Sequence, residues 1–365
     1  MLGPWSLWSG SIYIGKRWRT IDAQISFAPK TLTVPKVPVC QSVLYTCSLI
    51  RDLQTWIEHV RSGDSRALAR AISTVENRAP GWSELLKALF PHSGKARVIG
   101  LTGPPGAGKS TLVDHLARFY RKEQRTVGII AVDPTSPYTG GAILGDRIRM
   151  QDHFSDTGLY IRSLATRGSL GGLARTTADV TTVLDASGRD LILIETVGVG
   201  QDEVDIVRLA DMTVVILVPG MGDDVQTIKA GIMEIADIFV INKSDREGAE
   251  RVEREIRAMQ SLATRSDNWT PPIVKTVASE GAGIKELAAA IAGYEAYLHK
   301  ENLVLHRNIQ NWQERIVEML RDAMLEKARE QVGDGHLKTY AAEVAEHKRD
   351  PYSLVEEVIQ RLGQG

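Results

Sequence analysis

Gly103-Pro104-Pro105-Gly106-Ala107-Gly108-Lys109-Ser110 sets glycines, a lysine and a hydroxyl at the Gly-x-x-x-x-Gly-Lys-Ser spacing of a phosphate-binding loop. Its chemistry is that of a polyphosphate cradle. Glycines let successive backbone N–H groups curl around an anion, and the positive end of a following helix points at it. Lys109 is placed to reach the β- and γ-phosphates, the Ser110 hydroxyl to take one position on Mg²⁺, and Thr111 to complete the nucleotide-facing turn.

Asn242-Lys243-Ser244-Asp245 can choose the base. A carboxylate at Asp245 accepts from guanine N1–H and the exocyclic amine, where adenine offers an acceptor. Such a site rejects the wrong base by about 10⁴ or more, because its polar partner goes unpaired. Ala278-Ser279, with Glu280 beside them, would add backbone and hydroxyl contacts. These residues select GTP over ATP.

Glu195-Thr196-Val197-Gly198 offers a carboxylate for Mg²⁺, through a water, and a Gly198 N–H for the γ-phosphate. Asp133 is a second candidate for the metal's outer shell, and Asp146 could approach the same ion. Arg149 or Arg147 could neutralise charge on the transferring phosphoryl group; an ordinary surface ion pair competes with that reading. Gln201 could position the attacking water, although it does not directly follow the glycine. Gly168-Ser169-Leu170-Gly171-Gly172 is a loop candidate or a tight turn. Pro219–Gln226 with Lys229 is a further glycine-rich segment that could respond to the nucleotide.

The elements that must hold these residues are strands. Val98–Thr102 leads into the phosphate loop, and Leu112, Val113, Leu116, Ala117 and Tyr120 give the helix after it. Val127–Val132 ends at Asp133, Leu191–Ile194 at Glu195, Val214–Val218 at Pro219, Ile238–Ile241 at Asn242, and Ile273, Val274 and Val277 precede Ser279. Continuous apolar runs separated by helical segments predict a mainly parallel sheet covered on both faces, with ligands at the carboxyl ends of the strands.

A chain of 365 residues exceeds one ordinary domain, and its formal net charge of −1 gives no pull towards nucleic acid or anionic membrane. No apolar run reaches the roughly 18 residues of a membrane span. Cys40 and Cys47 form neither a disulfide framework nor a zinc or redox spacing, which favours a reducing compartment. Residues 1–50 are basic, with Lys16, Arg17, Arg19, Lys30 and Lys36 against Asp22. They read as a leader without assigned structure, and a transit segment is the alternative. A cytoplasmic location is expected, or the mitochondrial matrix if the leader is a transit segment.

Residues 51–95 predict a small helical domain: Leu53, Trp56, Ile57 and Val60, a stop at Gly63 with Asp64 capping the next helix, then Leu68, Ala71, Ile72 and Val75, then Trp82, Leu85, Leu86 and Leu89. The nucleotide domain is expected over 96–298. From 299 to 365 the pattern is helical. Ile309, Trp312, Ile316, Met319 and Ala323 form a narrow apolar stripe that suits a dimerisation arm or packing onto the chain's own core. Asp350-Pro351 opens a last helix.

Taken together, Gly103–Ser110, Asp133–Pro137, Gly145–Met150, Glu195–Gln201, Gly222–Gln226 and Asn242–Asp245 resemble the methylmalonyl-CoA mutase-associated GTPases of the MeaB or ArgK type, from about Arg51 onward. The resemblance implies an α/β P-loop NTPase fold flanked by a helical N-terminal domain and a helical arm that makes a homodimer. It implies slow GTP hydrolysis, stimulated by a partner, that gates adenosylcobalamin loading and protection of an acyl-CoA mutase. It places Mg²⁺ near Ser110, Asp146 and Glu195 and gives switch roles to 134–150, 195–203 and 219–229. The chain shows no Asp-x-His-x-x-Gly cobalamin signature, so the cofactor is expected on the partner. Two rivals share the core: a nickel metallochaperone, which eight scattered histidines do not favour, and a transport-associated kinase or ATPase, against which Asn242–Asp245 argues.

Overall fold

The computed structural model describes residues 11–14, 17–20, 52–133, 156–165, 172–196, 209–220, 235–262, 265 and 267–362. Residues 1–51 and 52–365 form separate units. In the first, β1 (Ser11–Ile14) and β2 (Arg17–Thr20) pair antiparallel, Ser11 opposite Thr20. Residues 1–50, expected without assigned structure, therefore include a hairpin.

The second unit is organised by a seven-stranded sheet in the order β5-β4-β6-β3-β7-β8-β9. Its strands are β3 (Arg97–Thr102), β4 (Val127–Asp133), β5 (Leu159–Ala165), β6 (Leu191–Glu195), β7 (Met212–Leu217), β8 (Ile238–Asn242) and β9 (Ile273–Thr276). Every neighbouring pair is parallel. All carboxyl ends therefore face one way, and β3 lies between β6 and β7 with the phosphate loop at its tip. Six of the strands match the apolar runs of the sequence. β5 does not: Tyr160, Arg162 and Ser163 interrupt it, which an edge strand paired only to β4 tolerates.

The two-residue side-chain period divides the core. Ile99 and Leu101 of β3 pack with α4 (Lys109–Lys122) and α7 (Ile284–Lys300) on one face. Val98 of β3, with Ile192 and Ile194 of β6, faces a second cluster. That cluster is built by α1 (52–61), α2 (Ser65–Glu76), α3 (Trp82–Leu89) and α5 (Gly172–Ala186). The helices α1 to α3 therefore bury their apolar side on the sheet, within the same unit. Asp64 caps α2 as its position predicts, its carboxylate accepting from Ala67 N–H at 2.7 Å. A third cluster joins β7 and β8 to α6 (Ala249–Leu262).

The C-terminal arm comprises α8 (Leu303–Val332), α9 (Asp334–Ala345) and α10 (Pro351–Leu362). Asp350 caps α10 by accepting from Ser353 N–H at 2.8 Å. α8 has 30 residues, so it is about 45 Å long at 1.5 Å per residue. Its base is anchored at Asp237, whose fully buried carboxylate takes Arg265 at 3.1 Å and Arg307 of α8 at 3.4 Å. Further along, Arg315 pairs with Asp179 at 3.1 Å and Asp322 with Arg175 at 3.4 Å, tying α8 to α5. Most of the apolar stripe does not turn into this core: Ile309 is 56% exposed and Ile316 51%, while Trp312 meets Phe90. Among the described residues no helix is long and apolar enough to cross a membrane.

Candidate nucleotide site

The phosphate loop is shaped by two close approaches. A Cβ on Gly103, at φ +149°, would lie 2.2 Å from the carbonyl oxygen of Ile216 on β7. One on Gly108, at φ +89°, would lie 2.4 Å from the amide nitrogen of Asn242. Neither position admits a side chain, so the loop can lie against the neighbouring strand and the base-recognition segment. Gly108 then hands over to α4, whose first residues are Lys109 and Ser110. The first N–H groups of a helix have no acceptor within it, and with the positive dipole end they suit a phosphate.

Lys109 is buried, and its ammonium donates to the carbonyls of Gly103 at 2.7 Å and Pro104 at 3.1 Å. The loop thus holds its own cation, within reach of any phosphate it wraps. The Ser110 hydroxyl donates to Glu195 Oε1 at 2.5 Å. Glu195 closes β6 opposite Leu101 of β3 and is 6% exposed. Thr196 fixes that strand end, its N–H donating to Leu101 O at 3.1 Å and its hydroxyl to Thr102 Oγ1 at 3.1 Å. A hydroxyl and a carboxylate converging in this way are hard oxygen donors, the set that suits Mg²⁺.

Asn242 joins three segments. Its Nδ2 donates to Ala107 O at 2.7 Å, while its Oδ1 accepts from Thr276 Oγ1 at 3.1 Å and from Ala278 N–H at 3.0 Å. Lys243, in the left-handed region at φ 55°, donates from Nζ to Gly106 O at 2.8 Å. The base-recognition segment is therefore fastened to the phosphate loop before any ligand is considered. Asp245, Ser279 and Glu280 are exposed beside it, where a base can reach them. Pro105 and Gly106 are exposed on the outer loop, and Ala107 is buried beneath it.

Lys109, Ser110, Glu195 and Asn242 thus converge at the strand tips as their spacing predicts. Asp146, Arg147, Arg149, Gly198 and Gln201 lie outside the described residues, and Asp133 is described only as the backbone end of β4. Thr276, Thr102 and Thr196 were not singled out for their side chains in the sequence. The available signal was a hydroxyl at the end of an otherwise apolar strand, where a buried polar group must find a partner.

A family model described as methylmalonyl-CoA mutase-associated GTPase MeaB matches residues 68–333. The chain belongs to this family. A GTPase-named chain of Pyrococcus abyssi is 48% identical over 309 residues, spanning 84% of this chain and 95% of that one. The mouse protein named methylmalonic aciduria type A homolog, mitochondrial, is 39% identical over 243 residues, 62% of this chain and 59% of that one. The crystal structure of a LAO/AO transport system kinase superposes with a TM-score of 0.65 at 25% identity, covering 85% of this chain and 97% of the other. Membership of the MeaB family makes the chain a P-loop GTPase that binds guanine nucleotide and converts GTP and water to GDP and phosphate.

Proposed function

We propose that this MeaB-family GTPase gates the loading of adenosylcobalamin into a partner acyl-CoA mutase and protects the loaded enzyme. The observation that carries the nucleotide half is the Ser110–Glu195 contact across the loop, 2.5 Å long. It couples the first helical turn under the phosphates to the strand end that begins the 195–203 segment. Mg²⁺ held by Ser110 and Glu195, with Asp133 and Asp146 in support, would neutralise the β- and γ-oxygens. Segments 134–150, 195–203 and 219–229 would then respond to loss of the terminal phosphate, with Arg149 facing the phosphoryl group and Gln201 the attacking water. The mutase half is supported by the family's description and by the printed name of the mouse relative. Turnover is slow alone and rises when the mutase docks.

The division at 50, 95 and 298 assigns the arm to dimerisation. The exposed residues Ile309, Ile316 and Met319 on α8 support a homodimer, since a soluble monomer rarely leaves so continuous an apolar stripe open. A cytoplasmic location is the simplest setting, and the mitochondrial name of the mouse relative supports the matrix as the alternative. The nickel reading is the weaker one: among the described residues there is no group of three His, Cys, Asp or Glu side chains that could hold a metal ion.

The direct test is transfer. Apo-mutase, adenosylcobalamin and the chain are mixed with GTP or with a non-hydrolysable analogue, and cobalamin absorbance is followed on the mutase. Nucleotide-dependent loading is expected. Loading that ignores the chain and its nucleotide in every combination would remove the mutase role while leaving GTP binding intact.

A further inference from the structure

At the end of the sheet opposite the phosphate loop lies a cavity of about 430 Å³, between α8 and the amino ends of β3 and β7. Its size falls among small-molecule sites, which run from about 300 to 1,000 Å³. The family's nucleotide chemistry leaves it unused.

One wall is aromatic. Trp312 of α8 meets Phe90 edge-on, centroids 5.3 Å apart with planes at 84°. The charged groups around it are mostly engaged. Asp185 accepts from the N–H groups of Gly94, Lys95 and Ala96 at 2.5, 3.1 and 3.0 Å. Asp211 accepts from Val98 N–H at 2.8 Å. Arg97 pairs with Glu295 at 2.5 Å and Arg315 with Asp179 at 3.1 Å.

Lys95 is different. It is exposed, and among the described residues its ammonium has no side-chain partner, while its backbone is fixed in place by Asp185. Asn308 and Asn311, one turn apart on α8, add amides whose side chains are likewise without partners among the described residues. The wall therefore satisfies its own carboxylates and presents an exposed cation, two amides and the Phe90–Trp312 pair, with Arg315 over the Trp312 ring at 4.7 Å. Those complement an anionic acceptor attached to a planar body.

We propose that this cavity binds a small planar organic monoanion, an aryl or conjugated carboxylate, with its ring against Phe90 and Trp312 and its carboxylate at Lys95. Because the cavity lies at the far end of the sheet, such a ligand and GTP bind together. Contact with both α8 and Asp211 would let it report on the arm and on the strand that follows the 195–203 segment. The inference does not depend on the mutase reading.

The probe is 2-naphthoate, titrated calorimetrically into the full chain already saturated with GDP. One site is expected. Lys95→Glu should weaken it by about tenfold or more, and 2-naphthylmethanol, which keeps the ring and lacks the charge, should bind weaker by a similar factor. Asn311→Trp, which fills the cavity from α8, should abolish the heat, with GDP affinity and melting temperature unchanged in both variants. No heat with the wild-type chain would overturn the proposal. So would equal affinity for the alcohol, indifference to Lys95→Glu, or displacement of naphthoate by GDP.

Discussion

The Ser110 hydroxyl donates to the Glu195 carboxylate over 2.5 Å, joining the start of α4 to the end of β6. A divalent ion taken between these oxygens would feel both elements. Glu195→Gln preserves the shape and removes the charge. GTP hydrolysis should fall about 10²- to 10³-fold, as when one preorganised charge-stabilising group is removed. The Mg²⁺ dependence of GTP affinity should flatten as well. Single-turnover hydrolysis and a magnesium titration measure the two effects, and an unchanged magnesium response would separate Glu195 from the metal.

Asp245 stands exposed beside Lys243, whose Nζ is bound to Gly106 O at 2.8 Å. The carboxylate supplies two acceptors for the two guanine donors, and an amide supplies only one. Asp245→Asn should cost about a hundredfold or more in GTP affinity while leaving ATP affinity as weak as before. Lys109→Ala should weaken both nucleotides together, since it acts on phosphate. Competition binding with labelled nucleotides distinguishes the patterns, and unchanged GTP affinity in both variants would refute the site assignment.

Gly108 faces Asn242 so closely that an added methyl would lie 2.4 Å from the amide nitrogen. Gly108→Ala must therefore displace the side chain that ties Ala107, Thr276 and Ala278 together. The expected result is loss of GTP binding and a destabilisation of about 1–3 kcal/mol from buried polar groups left unpaired. Denaturant melts with and without GTP measure both. A variant with wild-type affinity would show that the phosphate loop and the base segment are independent.

Tyr120, on the buried face of α4, has its phenol pushed up from 10.0 to about 12 by burial. The folded chain keeps that proton where the unfolded chain loses it, so stability from this group is complete below about pH 10 and is lost as pH rises towards 12. The loss is at most about 2–3 kcal/mol. Tyr120→Phe should remove it, so the difference between wild type and variant in urea melts should change between pH 9 and pH 11.5. A constant difference across that interval would contradict the assignment.

The strand ends of the site were legible because buried parallel strands write themselves as continuous apolar runs, and Glu195 and Asn242 stand where such runs stop. Asp64 was legible because an N-cap depends on local geometry alone. β5 was not, because Arg162 and Ser163 break the apolar pattern of a strand with a neighbour on one side only. Thr276 was hidden for another reason: its value lies in register, opposite Asn242 across β8 and β9, and register is a property of the assembled sheet. The stripe on α8 was visible as a period, while its exposure became known only from the fold.

Steady-state GTP turnover, measured for the chain alone and with apo- and holo-forms of an adenosylcobalamin-dependent acyl-CoA mutase, tests the central claim most directly. Hydrolysis is expected to be slow alone and to rise about tenfold or more with the mutase, a barrier change of about 1.4 kcal/mol. A rate indifferent to every such mutase would contradict it.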